Sequence, residues 1–340
     1  MNIPYRTRRT LRRLGIALLI LLMISVVIWL CWVIWLERYV VYSREGATLN
    51  FSLSETGAGA QTAMPPAEQE TVAVYINEGS NTVNVSTELT QFAGFYADSA
   101  ALKEDLNAVR SQISTLATDV PVMLDVKDIT GAFYYSTSTG ASTDSNLDIA
   151  AMDQLIADLA RSGRYLIARV PAFRDREFGL NNVEYGLFLP SGIGLWMDDA
   201  GCYWLDPTSS GTMNYLLRIV SELKELGFDE VVFSEFRFPD SDGYTFSGDR
   251  TEALANAAKS LVSTCATDSF AVSFSTTNSG FPLPEGRSRL YLTDVQAADV
   301  AAVASEIQLE DKEIRLVFMA ESNDTRFDLY SVMRPLDIAH

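Results

Sequence analysis

The sequence predicts an α/β protein, a (β/α)8 barrel of the TIM type, preceded by one transmembrane helix. Three observations support this fold class. From residue 91 onward, short apolar runs typical of strands alternate with amphipathic segments typical of helices, most connections between them are short, and residues 14–36 form an uncharged apolar run. Repeated strand–helix units require parallel strands joined by helical crossovers.

The apolar run at residues 14–36 contains no charged side chain. At about 1.5 Å per residue, a helix of this length crosses a hydrocarbon core of about 30 Å. The arginine-rich residues 1–13 are predicted to form a cytoplasmic tail, and Trp29, Trp32 and Trp35 an aromatic belt at the other end. A cleaved signal peptide would have a shorter apolar region and small residues at a cleavage site. We therefore expect a single-pass membrane protein whose C-terminal domain lies outside the cytoplasm and whose partners include the lipid bilayer.

Two short segments separate the predicted anchor from the barrel at residues 91–340. Residues 43–70 are rich in Ser, Gly, Ala, Thr and Pro, a composition that favours a flexible stalk. Residues 71–90 place alternating apolar residues on both sides of a turn-forming group, which predicts a hairpin.

The barrel region shows a nearly regular order of strands and helices. Strands are predicted at residues 92–97, 120–126, 165–170, 231–233, 270–275, 289–292 and 314–319. Helices are predicted at residues 100–116, 149–162, 212–226, 251–265 and 297–307. The signal for an eighth strand near residues 330–335 is weak, so a barrel incomplete in its second half is one alternative. A doubly wound open sheet is another, because periodicity alone does not separate the two folds.

Composition excludes several classes of function. The chain has 26 basic and 44 acidic residues and a net charge of −18, which repels phosphate backbones and argues against a nucleic-acid partner. His340 is the only histidine, so Ser-His-Asp triads, Cys-His pairs and histidine-ligated zinc sites are excluded. We expect no metal and no cofactor. Cys202 and Cys265 form either a disulfide or two buried thiols.

Charged residues cluster where the predicted strands end, which is where parallel α/β folds carry their sites. These residues are Asp125, Lys127, Asp128, Arg169, Glu235, Arg237, Asp294 and Glu321. Carboxylates follow four different strands. Because these strand ends meet at one face, the pattern favours one shared site. Lys127 among the acids argues against a cation site and favours a Lys–Asp ion pair.

Four segments of the chain resemble a known family in their order and spacing. They are MLDVKDITGAFYYS (123–136), LIARVPAFRD (166–175), GLWMDDAGCYWLDP (194–207) and LGFDEVVFSEFRFP (226–239). This pattern resembles a family of uncharacterised bacterial TIM-barrel proteins classed with the glycosyl hydrolases, over residues 92–239. The resemblance implies a (β/α)8 barrel related to carbohydrate-active enzymes. It also implies substrate-binding roles for the matching residues Asp125, Lys127, Arg169, Trp196, Asp206 and Arg237.

The chain departs from the family pattern at two acidic positions. The acid expected at the end of the fourth strand falls at Ser234, and the acid expected on the fifth strand falls near Ser275. Glu235 lies one residue further on, and neighbouring side chains on a strand point to opposite faces. Glu235 can therefore reach the pocket only if the strand bends or bulges.

The expected function is binding of a cell-envelope polysaccharide, and the sequence leaves open whether the protein also hydrolyses it. Glycoside cleavage usually needs two carboxylates, and Glu235 is predicted as the proton donor with Asp294 or Glu321 as nucleophile or base. Asp125 is a third possibility for the pair. Trp196 is predicted either to stack on sugars or to pack its loop, and Trp204 to be structural. The alternative is a catalytically inactive barrel that binds a glycan or a protein at the envelope, and a structural assembly component is a third reading.

Overall fold

The computed structural model describes residues 40–43, 46–49 and 88–336. The chain divides into two compact units, Met1–Asn81 and Thr82–His340. In the first unit, Val40–Ser43 pairs antiparallel with Gly46–Leu49, an element that the sequence analysis did not predict. The predicted tail, transmembrane helix and most of the predicted stalk and hairpin lie outside the described residues. Within the described ranges, no helix has the length and apolarity needed to cross a bilayer.

The second unit contains a closed barrel of eight parallel strands. We name them β1 (Ala93–Ala97), β2 (Val122–Asp125), β3 (Leu166–Pro171), β4 (Glu230–Ser234), β5 (Ala271–Thr276), β6 (Leu290–Leu292), β7 (Leu316–Met319) and β8 (Ser331–Pro335). Each strand pairs with the next, and β8 closes the barrel on β1 with Val332 opposite Ala93. The (β/α)8 prediction is confirmed. Both alternatives, an incomplete barrel and an open sheet, are wrong because the weakly predicted eighth strand is present.

Helices surround the barrel between its strands. They are α1 (Ser99–Glu104), α2 (Leu106–Thr115), α3 (Ile149–Arg161), α4 (Arg176–Asn181), α5 (Ser210–Glu225), α6 (Arg250–Cys265), α7 (Val300–Glu306) and α8 (Lys312–Arg315), with 3-10 turns at Val183–Tyr185 and Thr325–Leu329. The single helix predicted at 100–116 is two helices. Asp105 breaks it, because its side chain accepts hydrogen bonds from the backbone N–H groups of Asn107 and Ala108, both at 2.9 Å. Aspartate in this role caps a new helix instead of continuing the old one.

Alternation along the strands creates two apolar layers. Met123, Ile167 and Val232 pack together inside the barrel, whereas Val122 and Leu124 belong to the layer between the strands and the helices. Successive side chains on a strand point to opposite faces, so each strand contributes to both layers. Because both faces of each strand are buried, strands such as β2 consist of nearly continuous apolar residues.

A buried polar network lies at the N-terminal ends of the strands. Glu230 and Arg289 form an ion pair of 2.6 Å with side-chain exposures of 0% and 2%. The hydroxyls of Tyr165, Tyr291 and Ser273 also donate to the Glu230 carboxylate, at 2.9, 3.0 and 2.5 Å. Arg289 Nη2 donates to the carbonyl of Thr90, 2.9 Å away, just before β1. The network therefore joins four strands to the segment that enters the barrel.

The two described cysteines, Cys202 and Cys265, are buried free thiols. Of the two predicted alternatives, the thiols are correct. Burial raises the pKa of both side chains, which disfavours the reactive thiolate.

Candidate functional site

A cavity of about 530 Å³ opens at the carboxyl ends of the strands. Its lining comprises Ser99, Lys103, Asp125, Lys127, Asp128, Ile129, Tyr134, Arg169, Pro171, Ser234, Glu235, Arg237, Ser275, Thr276, Thr277, Thr293 and Asp294. Seven residues predicted from the sequence lie together here, namely Asp125, Lys127, Asp128, Arg169, Glu235, Arg237 and Asp294. The volume is within the range of small-molecule sites, and the position is the one that barrel enzymes use.

Glu235 reaches this cavity through a turn of its backbone. It follows Ser234, the last residue of β4, and has a φ of 49°, in the left-handed region. Non-glycine residues rarely adopt this conformation. The turn breaks the alternation of the strand, so Ser234 and Glu235 both line the cavity. This is the bend that the sequence analysis required for Glu235.

Asp294 is held in the same unusual conformation. It follows β6 and has a φ of 60°. In the described part of the chain, the non-glycine residues with a positive φ are Glu235, Asp294 and Asp311. Two of these three line the cavity. Strained backbone of this kind is concentrated at functional sites. The Asp294 side chain is exposed.

Two arginines bracket the Glu235 carboxylate. Arg174 Nη1 donates to Oε1 over 3.2 Å, and Arg237 Nη2 lies 2.9 Å from Oε2. The second contact is an ion pair without hydrogen-bond alignment, since Oε2 accepts no hydrogen bond from the described residues. Both guanidinium groups lie over the buried Trp204 ring, at 5.7 and 4.9 Å from its centroid. Trp204 thus packs beneath the two cations that fix Glu235, in agreement with its predicted structural role.

Sequence reasoning missed Arg174, which lies three residues beyond the end of β3. Its Nε donates to Asp198 Oδ2 over 2.7 Å, and Trp204 Nε1 donates to the same oxygen over 2.9 Å. Burial acts against ionisation of Asp198, but the hydrogen bonds from the backbone of Cys202, from Trp204 and from Arg174 lower its pKa. Asp198 therefore connects the long loop after β3 to the group that holds Glu235.

Asp125 and Arg169 form a bidentate ion pair across β2 and β3. Arg169 Nε and Nη2 lie 2.5 and 3.0 Å from the two carboxylate oxygens. The backbone N–H and the hydroxyl of Ser99 donate to the same carboxylate at 2.7 and 2.8 Å. Asp125 is therefore already hydrogen-bonded through both of its oxygens.

The ammonium of Lys127 takes part in a buried ion pair. It lies 2.7 Å from Asp175 Oδ2, and both side chains have 0% exposure. Tyr215 donates its hydroxyl to the same oxygen over 2.9 Å. Asp175 also caps α4 by accepting from the backbone N–H of Phe178. The sequence analysis expected Lys127 to pair with a neighbouring acid at the mouth, whereas its partner is the buried Asp175.

Three predicted site residues lie outside the cavity lining. Glu321 is exposed after β7. Trp196 packs against Tyr244, with ring centroids 5.6 Å apart. Asp206 accepts hydrogen bonds from the backbone and hydroxyl of Thr208, at 2.8 and 2.6 Å, and so closes a turn.

A charged group forms the β2 side of the cavity. Lys103 Nζ lies 3.0 Å from Asp128 and 2.8 Å from Asp144. Burial opposes ionisation of Asp128, but hydrogen bonds from Thr130 and Lys103 lower its pKa. Burial raises the pKa of the adjacent Tyr134 to about 12, so this phenol stays neutral.

The described residues contain no group of three or more Asp, Glu, Cys or His arranged to hold a metal.

The lowered pKa of Asp128 predicts a pH-dependent contribution to stability. A depressed carboxyl pKa stabilises the fold above the ordinary value of 3.8, and the contribution is lost as the pH falls through the folded pKa. In Asp128→Asn this contribution is absent, so the stability deficit of the variant should be largest near neutral pH and shrink in acid. Urea denaturation at several pH values measures it. Asp268→Asn, at an exposed position, should show no such change, and parallel profiles for Asp128→Asn and wild type would contradict the prediction.

Comparison with solved structures finds similar folds at low sequence identity. The α-galactosidase from Lactobacillus brevis aligns with a TM-score of 0.51 and 11% identity, over 74% of this chain and 38% of that one. An inactive mutant of exo-β-N-acetylglucosaminidase from Vibrio harveyi aligns with a TM-score of 0.50 and 9% identity, over 72% and 50%. A hypothetical protein from Ruminiclostridium thermocellum gives 0.45 and 21% identity, over 53% and 96%. At these identities the likeness shows the fold alone, and the chain spans half or less of the two enzymes.

A search of curated proteins found no match. A family model does match the part of the chain that builds most of the cavity, from the end of β1 into β5. The family is described as "Putative glycosyl hydrolase domain", and the match covers residues 97–273 of the 340. Since this is more than half of the sequence, the chain belongs to that glycosyl hydrolase-like family.

Proposed function

We propose that this protein binds a carbohydrate in the cavity at the carboxyl ends of its barrel strands. The observation that carries the proposal is the lining, which combines hydroxyl groups with charged groups that ion pairs hold in place. The hydroxyl-bearing residues are Ser99, Tyr134, Ser234, Ser275, Thr276, Thr277 and Thr293. Such groups match the donors and acceptors of sugar hydroxyls, and fixed partners reduce the entropy lost on binding.

Binding without cleavage is the form of this proposal that we favour. Ser234 and Ser275 line the cavity at the two positions where the family resemblance implies acids. Serine can hydrogen-bond a sugar but is a weak proton donor or acceptor for glycoside cleavage. The Glu235 carboxylate, moreover, is occupied by two guanidinium groups.

Hydrolysis is the second candidate, favoured by the two carboxylates held at positive φ. In this candidate the role of Glu235 differs from the one expected from the sequence. The Glu235 carboxylate is fixed between two guanidinium groups, a placement that suits an attacking nucleophile better than a residue that delivers a proton to the leaving group. The exposed Asp294 would then supply the acid and base function.

We further propose that the protein is anchored in the membrane and acts outside the cytoplasm on a cell-envelope polysaccharide. The support for this location is the uncharged run at residues 14–36 with arginines before it.

The test combines binding and product analysis on the purified full-length chain in detergent, with a panel of cell-envelope polysaccharides. We expect binding to part of the panel and no released sugar. Ser275→Ala should weaken binding about three- to tenfold, the effect of one lost hydrogen bond. The exposed Ser260 provides the matched control, Ser260→Ala, which should bind as wild type does.

Two outcomes would change the conclusion. Absence of binding to every glycan would refute the carbohydrate proposal. Release of product by the wild type, reduced about 100- to 10,000-fold in Glu235→Gln, would show that the protein hydrolyses its glycan and that Glu235 is a catalytic residue. Glu306→Gln, at an exposed position on α7, controls for a general effect of losing one carboxylate.

A further inference from the structure

The cations that line the cavity are all neutralised by the protein itself. Lys103, Lys127, Arg169 and Arg237 each lie within 3.0 Å of a carboxylate oxygen. An anionic sugar would approach cations that each already face a carboxylate, which weakens their attraction for a second anion. Displacing the carboxylate of the buried Lys127 ion pair or of the bidentate Arg169 pair would be costly.

The carboxylates are not all neutralised. Asp294 lines the cavity and has neither an ion pair nor a hydrogen bond to its side chain from the described residues. Asp98, after β1, caps α1 by accepting from the backbone N–H of Ala101 over 2.9 Å, and neither it nor Glu321, after β7, forms an ion pair among these residues. The basic residue on β8, Arg334, is paired with Asp328 at 2.7 Å. We call Asp294, Glu321 and Asp98 the acidic edge of the mouth.

Tyr96 connects the acidic edge to the ion pairs of the cavity. The Arg169 guanidinium lies over its ring, 5.6 Å from the centroid. Burial raises the pKa of Tyr96, Arg169 opposes this, and the charges of Asp98 and Glu321 raise it further. Two of the three carboxylates of the edge, Asp98 and Glu321, therefore act on the same phenol, and their negative potential extends to the side of the cavity where Arg169 lies.

A bound metal ion is a poor explanation for this uncompensated charge. No three of the described acidic, Cys or His residues converge on one point as metal ligands. The acidic edge is spread over the ends of β6, β7 and β1. Spread negative charge is matched best by positive charges that are themselves spaced along a ligand.

We infer that the cavity selects glycans whose sugars carry free, protonated amino groups over N-acetylated and over uronic-acid glycans. The inference rests on the proposed carbohydrate binding and specifies its substrate class. Asp294 is the residue inside the cavity that would contact an ammonium group. Glu321 and Asp98 would act on neighbouring sugars from the rim.

Calorimetric titration of the full-length chain with three pentasaccharides tests the inference, using pentamers of glucosamine, N-acetylglucosamine and galacturonate. We expect the glucosamine pentamer to bind most tightly, the N-acetylglucosamine pentamer less tightly and the galacturonate pentamer least. The glucosamine pentamer should bind about fivefold or more tighter than the N-acetylglucosamine pentamer at about 0.05 M salt. The preference should decrease at about 0.5 M salt, because exposed charges are screened.

Asp294→Asn should reduce the glucosamine preference about threefold. Asparagine tolerates the left-handed backbone at this position, so the change removes charge and leaves the turn intact. Asp268→Asn is the matched control, because Asp268 is exposed and lines a separate pocket at the N-terminal ends of the strands. It removes the same charge without touching the cavity and should leave the preference unchanged.

Each alternative outcome has a distinct meaning. An equal loss of preference in both variants would show that the net charge of −18 attracts the polycation and would overturn the inference. Binding of N-acetylated or uronic glycans with equal or greater affinity would overturn it while leaving carbohydrate binding intact. If neither these pentamers nor any polysaccharide binds, both proposals fail.

Discussion

Replacing Glu230 with alanine is expected to lower the free energy of unfolding by about 3–5 kcal/mol, the usual result of breaking a buried ion pair. The change leaves the Arg289 guanidinium buried without its counter-charge. It also removes the acceptor of the Tyr165, Tyr291 and Ser273 hydroxyls. Urea denaturation of the purified chain, monitored by tryptophan fluorescence, measures the decrease in the free energy of unfolding.

Two further variants separate the buried charge from other effects. Glu306→Ala makes the same substitution at an exposed position on α7 and should change stability by less than about 0.5 kcal/mol. Combining Glu230→Met with Arg289→Met removes both charges and should recover a large part of the loss. A Glu230→Ala variant as stable as Glu306→Ala would show that the network contributes nothing.

Replacing Lys127 with methionine is also expected to cost about 3–5 kcal/mol, with glycan binding affected only through the loss of folded protein. The Asp175 carboxylate would remain fully buried with no cation, although Tyr215 and Phe178 would still donate to it. Lys259→Met, on the exposed face of α6, is the matched control and should be near neutral. Thermal and urea denaturation measure the loss.

A second substitution distinguishes this structural role from a role in binding. Asp175→Asn removes the unpaired charge and keeps the acceptor for Phe178, so it should recover stability in the Lys127→Met background. Folded Lys127→Met protein that no longer binds glycans would instead show that the ammonium contacts the ligand, as the family resemblance implies.

The sequence predicts the barrel well because both faces of its strands are buried. Apolar runs such as those of β2 and β4 stand out against the amphipathic helices. β8 is less visible, since SVMRP has only two consecutive apolar residues before Arg334 and Pro335. β8 is nevertheless needed to close the barrel, because it pairs with both β7 and β1. This requirement follows from the geometry of a closed sheet and is not visible in the apolar periodicity of the sequence.

The candidate site is predictable in position and much less in detail. The predicted strand ends located seven of the lining residues. The side chain of Glu235 reaches the cavity because its backbone has a positive φ. Only glycine adopts this conformation readily, so the sequence gives no sign of it at a glutamate. Arg174 and Asp175 were overlooked because they act from a loop and a helix cap, with partners 61 and 48 residues away in the sequence. Pairing of this kind is decided by tertiary packing.

The hydrogen bond from Arg289 to the carbonyl of Thr90 has a mechanical consequence. The described chain enters the barrel at the N-terminal end of β1 and leaves at the C-terminal end of β8, its direct neighbour. A pulling force applied before residue 88 would reach this bond first and then load the ladders of β1 with β8 and β2 in shear, where many hydrogen bonds share the tension. The Glu230–Arg289 network would resist this force at the N-terminal ends of the strands, so that the cavity at their carboxyl ends would keep its shape.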